Sequence, residues 1–157
     1  MQNTTLCYIE NDDNKYLMLH RVKKKNDINK GKYIGIGGHF EENEGPFDCV
    51  VREVFEETGL VILDPKYRGI VTFVTNEGES EQMHLFSATK YRGEMIECNE
   101  GNLCWVDKSN LEKIPMWQGD IIFLRLLDTE KDFFSLKLVY EGNTLVNVER
   151  DGKKIAF

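Results

Sequence analysis

The stretch PFDCVVREVFEETG, Pro46 to Gly59, limits this chain more than any other. Proline is accepted at the first position of a helix and glycine at its left-handed end, so the pair brackets a helix over 46–58. At about 3.6 residues per turn, each residue rotates by about 100°. Phe47, Val50, Val51, Val54 and Phe55 then form a broad apolar face, and Glu53, Glu56 and Glu57 share an arc of about 100° on the other side. Such a helix has to bury one face and find counter-charge for three neighbouring carboxylates. Solvation is the ordinary fate of an acidic helix face, and Arg52 is spaced for a surface pair with Glu56. A divalent cation is the alternative. Magnesium and calcium take carboxylate oxygens, and magnesium keeps positions open for water and phosphate oxygen.

The flanking segments read mostly as strands. TTLCYIE and KYLMLHR, separated by the turn-rich NDDN, predict a hairpin. A basic loop, RVKKKNDINKGK over 21–32, leads to YIGIGGHF, a short strand in which Gly35, Gly37 and Gly38 mark a tight path. After the helix, LVILDPKYRGIVTFVT and EQMHLFSATKY are joined by NEGES and predict a second hairpin. LCWV is a further short strand, and MWQGDIIFLRLLDTEK has helical apolar spacing at Ile121, Ile122, Leu124, Leu126 and Leu127. The tail, FFSLKLVYEGNTLVNVERDGKKIAF, reads as a C-terminal hairpin turning at EGN. There is no internal repeat and no low-complexity linker. A chain of 157 residues suits one domain, residues 1–157, built as a mixed sheet with helices packed on it.

The net charge of −7 disfavours long nucleic acid as a partner. The charge is uneven, basic over 21–32 and acidic over 41–57, and an acidic site that receives phosphates needs cations between the two. Cys7, Cys49, Cys98 and Cys104 lack the close spacing of a zinc or redox pair and read as reduced thiols. No run is apolar enough to span a bilayer, and MQNTTLCYIENDDN lacks a basic region followed by an apolar one. The expectation is a cytoplasmic protein without a signal peptide.

From Gly38 the chain runs GHFEENEGPFDCVVREVFEETGL: a glycine, five residues, Glu44, seven residues, then Arg52-Glu53-Val54-Phe55-Glu56-Glu57-Thr58-Gly59-Leu60. This segment, 38–60, resembles the Nudix signature at every fixed position. Seven specified residues and two apolar ones, at usages of about 6% each, arise by chance in well under about one chain per million. The surrounding strands and Trp105 are similar to the MutT branch of that family, and MWQGD at 116–120 resembles the base-pocket segment of oxidised-purine nucleoside triphosphatases.

The resemblance implies an α/β/α sandwich around a mixed sheet and a hydrolase acting on a nucleoside diphosphate linked to another group. It implies magnesium, with manganese as a substitute, held by Glu53, Glu56 and Glu57, with backbone at Gly38. Arg52 would orient a glutamate of the cluster, and Glu44 would support the loop before the helix. Glu100 is the candidate for the additional carboxylate from a later loop, and Glu97 is second. Arg21 and Lys23, with Lys24 and Lys25, are candidates for phosphate contact, weighed against a merely solvated loop. Trp117 and Asp120 are candidates for the base, by stacking and edge bonding, with Phe86 and Met83 beside them. His20 and His84 read as structural, and His39 as a spacer residue. Two departures bear on the base: Gly119 where some relatives carry a second acid, and Ile34 where some carry an asparagine.

The leading functional expectation is hydrolysis of a nucleoside triphosphate to monophosphate and pyrophosphate, with 8-oxo-dGTP or a related oxidised purine as target, a pool-sanitising role linked to DNA repair. The alternatives are another Nudix pyrophosphatase acting on ADP-ribose or a dinucleoside polyphosphate, and a nucleotide-sensing module without turnover. The partner is a small nucleotide rather than a membrane, and monomer and homodimer both stay open.

Overall fold

The structure is a computed structural model that describes residues 1–157. β1 (Gln2–Glu10) and β2 (Lys15–His20) form the first expected hairpin, with Asn14 taking positive φ in its turn. β3 (Tyr33–Ile34) pairs with β2 on the far side of the basic loop. The signature helix is α1 (Pro46–Thr58), opened by Pro46 and closed by Gly59 at φ 78°. A side chain at position 59 would also press a Cβ to 2.6 Å from the Glu94 carbonyl oxygen. Glycine is therefore needed there twice over.

The run after α1 is not one strand. It breaks at Asp64, which takes positive φ, and Pro65, giving β4 (Val61–Leu63) and β5 (Lys66–Thr75). β5 makes the expected hairpin with β6 (Glu81–Ala88), while β4 pairs with β7 (Lys90–Arg92) in a separate two-stranded sheet. β8 (Asn102–Asp107) lies beside β2, and a 3-10 helix over Lys108–Lys113 precedes α2 (Gln118–Thr129). The tail forms β9 (Phe134–Glu141), β10 (Thr144–Arg150) and the short β11 (Lys153–Lys154).

The main sheet has the order β11-β10-β9-β5-β6-β1-β2-β3, with β8 also on β2. Its β1–β6 and β5–β9 pairings are parallel and the others antiparallel, so the C-terminal hairpin extends the sheet rather than standing off it. Period-two alternation divides the core. Tyr8, Met18, Leu85, Leu136 and Leu138 face α2, with Phe123, Leu124 and Leu127. Cys7, Ile9, Leu17, Leu19 and Phe86 face α1, with Val50 and Val54. This is the sandwich, a helix on each face of a mixed sheet. At the open end of α2, Arg68, displaced by a bulge in β5, donates to the carbonyls of Leu127 and Glu130. It thereby satisfies acceptors that a helix end leaves unpaired.

The apolar stripe of α1 is narrower than the sequence suggests. Cys49, Val50, Val54 and Thr58 are buried, but Phe47 and Phe55 are about half exposed, at 50% and 53%. Val51 packs against the same cluster only in part. Phe47 instead lies edge-on to Phe86 and Tyr67 at the helix margin.

Candidate active site

Two elements make the acidic end of the site: α1 and the glycine-bearing segment after β3. That segment is stitched to β1 by Cys7 N to Ile36 O at 2.6 Å and Thr5 N to Gly38 O at 2.9 Å. Gly38 lies directly against Glu53, and a Cβ there would stand 2.5 Å from the Glu53 carboxyl carbon. Gly37 is as tightly held, since a Cβ would fall 1.8 Å from the Thr5 carbonyl oxygen. The glycines let the chain pass between β1 and the glutamates of α1.

Arg52 is the hub of the helix face. Its Nε and Nη2 donate to the two Glu44 carboxylate oxygens at 2.8 and 2.9 Å, and Nη1 donates to Glu53 at 2.9 Å and Glu56 at 3.1 Å. Nη2 also reaches the His39 carbonyl at 3.0 Å. The planar fork suits this multiple grip, which a point-charge ammonium cannot reproduce. Hydrogen bonds from Arg52 and from the Glu41 N–H hold the Glu44 carboxyl down at about 2. The i,i+4 pair of Arg52 with Glu56 exists, as one strand of this larger network.

Glu57 is different. Its carboxylate accepts from Gly37 N at 3.1 Å, and no lysine or arginine pairs with it. Burial, followed by the charges of Glu100 and Glu53, pushes its carboxyl up to about 8. Glu100 sits beside it, supported from the basic loop by Arg21 at 3.1 Å and Lys24 at 2.9 Å. Burial favours the neutral form of Glu100, but the Lys24 hydrogen bond and the nearby Arg21 and Lys24 charges prevail and lower it.

The donor set of this region is carboxylate oxygen, the chemistry hard divalent cations prefer. No three acidic, histidine or cysteine side chains are arranged as a ready-made ion cage, because Glu53 and Glu56 turn to Arg52 while Glu100 turns to Arg21 and Lys24. The residues nevertheless fit a cation at Glu57, an enclosed acid whose charged neighbours are themselves acids.

A cavity of about 300 Å³ runs from Gly37, Gly38 and Glu57 to Trp117 and Asp120 on the α2 side of the sheet. Arg21, Ile34 and Met83 line it between these ends. The indole of Trp117 is held on three sides. Nε1 donates to Asn29 Oδ1 at 2.7 Å, the Lys32 ammonium lies 4.4 Å from the ring centroid, and Tyr140 meets it edge-on at 5.6 Å. Asp120, on the first turn of α2, is buried with no cationic partner, and burial pushes its carboxyl up to about 7. Gly119 has a local cause: its N–H donates to the Tyr140 hydroxyl at 2.8 Å, and a Cβ would fall 2.6 Å from Leu138. A side chain at that position would have to displace the buried ends of Leu138 and Tyr140.

Of the residues singled out from sequence, Gly38, Glu57, Arg21, Met83, Trp117 and Asp120 line one cavity. Phe86 does not belong with them. It is fully buried against α1, stacked on Tyr67, because it lies three residues from Met83 and strand side chains alternate between faces. Lys23 is also elsewhere, its Nζ donating to the Cys98 carbonyl at 2.7 Å and facing Glu97 at 3.5 Å. Arg21 reaches the cavity wall but is engaged by Asp27 at 2.6 Å as well as by Glu100. His20 stacks on Tyr33 and His84 bonds Tyr67 and Asn3. Asn29 and Lys32 had no sequence signal, since both fall inside a polar loop whose fold only the tertiary contacts fix. All four cysteines are free thiols, and no helix is long and apolar enough to cross a membrane.

The NUDIX domain model matches residues 1–127. The chain is 35% identical over 125 residues to the Nudix hydrolase YvcI of Bacillus subtilis, covering 76% of this chain and 75% of that protein. It is 33% identical over 127 residues to the oxidized purine nucleoside triphosphate hydrolase of Danio rerio, covering 78% and 79%. The crystal structure of the MutT protein from Bacillus halodurans superposes with a TM-score of 0.85 over 96% of this chain and 98% of that one, at 26% identity. The last comparison extends to the C-terminal hairpin.

Proposed function

This chain belongs to the Nudix family, and on that premise we propose that it hydrolyses nucleoside triphosphates to monophosphate and pyrophosphate, with oxidised purine nucleotides such as 8-oxo-dGTP as substrates. The observation that carries this reading is the single cavity joining an enclosed, cation-free carboxylate, Glu57, to an aromatic wall and a buried acid, Trp117 and Asp120. One end suits a polyphosphate with its metal, the other a flat heterocycle with hydrogen-bonding edges. The likeness to the Danio rerio protein supports the choice of purine. Residues 1–157 act as one domain in this reading.

Magnesium, with manganese as a substitute, would be held by Glu53, Glu56, Glu57 and Glu100. When bound it neutralises diphosphate oxygens and acidifies water. The side chains do the rest. Arg52 sets the rotamers of Glu53 and Glu56, and Glu44 sets Arg52. Gly38 leaves the clearance in which Glu53 stands. Glu100, kept ionised by Arg21 and Lys24, takes the proton of the attacking water. Trp117 carries the base and Asp120 bonds its edge.

The test is a panel of 8-oxo-dGTP, dGTP, dATP and ADP-ribose with magnesium, read as released phosphate species. Pyrophosphate is expected from the purine triphosphates and is lost in Glu57→Gln with cooperative unfolding intact. Absence of pyrophosphate from all three triphosphates overturns the proposal, and turnover of ADP-ribose alone replaces the substrate class.

A further inference from the structure

The base end of the cavity holds a group that no sequence motif singles out. Asn29 lies in the loop between β2 and β3 and lines the cavity with Trp117 and Asp120. Its main-chain N–H is taken by Asp27 Oδ1 at 3.0 Å, and its Oδ1 by the indole Nε1 of Trp117 at 2.7 Å. An indole nitrogen is only ever a donor. The oxygen of the Asn29 amide must therefore face Trp117, which settles an orientation usually ambiguous for this side chain. The Nδ2 group then points away from the indole, with two N–H donors that no protein acceptor takes.

We propose that Asn29 is a base-reading residue, its Nδ2 amide donating to a carbonyl oxygen on the edge of a purine that lies against Trp117. The inference rests on the reading of this cavity as a nucleotide site. A donor selects among purines. Guanine-type bases offer an exocyclic carbonyl where adenine offers an amino group, itself a donor. Asp120, across the same cavity end, supplies the group that the N–H side of a guanine-type edge requires. Donor and acid together match an oxo-purine. Lys32, on the outer face of the indole and absent from the cavity lining, fixes the ring without competing for the ligand.

The test uses the full chain in a Trp105→Phe background, so that Trp117 is the only tryptophan reporting. dGMP and dAMP, the products rather than the substrates, are titrated against its fluorescence. Asn29→Asp keeps an oxygen for the indole N–H but removes the N–H donors. The parent is expected to bind dGMP in preference to dAMP. Asn29→Asp should lose about tenfold in dGMP affinity and much less for dAMP. The KM for dGTP should rise in step while kcat holds. Equal losses for the two nucleotides, or dGMP binding within about twofold of the parent, would mean that Asn29 only steadies the indole, and would overturn the proposal. Failure of both nucleotides to perturb Trp117 in the parent removes the base-site reading, and the proposal with it, and is distinguished by occurring before any change at Asn29.

Discussion

Asp120 makes the stability of this protein depend on pH in a calculable way. Burial on the first turn of α2, without a cationic partner, pushes its carboxyl from an ordinary value of about 3.9 to about 7. The folded state therefore favours the protonated acid, whereas the unfolded chain ionises near the ordinary value. Below about pH 4 both states are protonated and the full stability is present; it is lost as pH rises to about 7, where the folded form ionises as well. A displacement of about three pH units is worth roughly 4 kcal/mol at most. That is a large share of the stability of a small domain. The perturbation is Asp120→Asn, which keeps the size and removes the titration. Urea unfolding, followed by tryptophan fluorescence, is measured for parent and variant from about pH 4 to about pH 8. Groups common to both proteins cancel in the difference. The variant should gain on the parent by about 3–4 kcal/mol across that window and by nothing further above it. Two curves that stay parallel within about 1 kcal/mol would refute the burial argument, because a carboxylate already solvated or paired gains nothing from neutralisation.

Two further substitutions probe the acidic end. In Gly38→Ala the new Cβ stands 2.5 Å from the Glu53 carboxyl carbon, and the end of a flexible side chain can move aside cheaply. Thermal unfolding should shift little, but a carboxylate displaced by about 1 Å should lower kcat by roughly a hundredfold. An unchanged kcat would mean that the place of Glu53 does not matter. Arg52→Lys keeps the charge but loses the fork that grips Glu44, Glu53 and Glu56, so kcat should fall roughly ten- to a hundredfold with KM nearly constant. Steady-state kinetics on the best substrate of the panel decides it, and a change confined to KM would place Arg52 on the substrate instead.

The sequence by itself determined α1, its caps, the spacing of its glutamates and the hairpins on either side. These follow from local rules: proline and glycine at helix ends, a 3.6-residue period, and alternation broken by turns. Tertiary structure decided everything that depends on which surfaces meet. Local periodicity marks Phe47 and Phe55 as apolar but cannot say which apolar residues the sheet will cover, and they stay half exposed. A strand's two faces are equivalent until the sheet is built, which is why Phe86 went to the core under α1 while Met83 reached the cavity. The parallel pairings β1–β6 and β5–β9 join segments far apart in the chain, and no short-range signal announces them. The partners of the charged groups were hidden for the same reason. Arg21 and Lys24 meet Glu100, and Asn29 meets Trp117, across separations of 79, 76 and 88 residues. A side chain's chemistry is written in the sequence; the dielectric and the neighbours that give Glu57 and Asp120 their character exist only once the chain has closed around them.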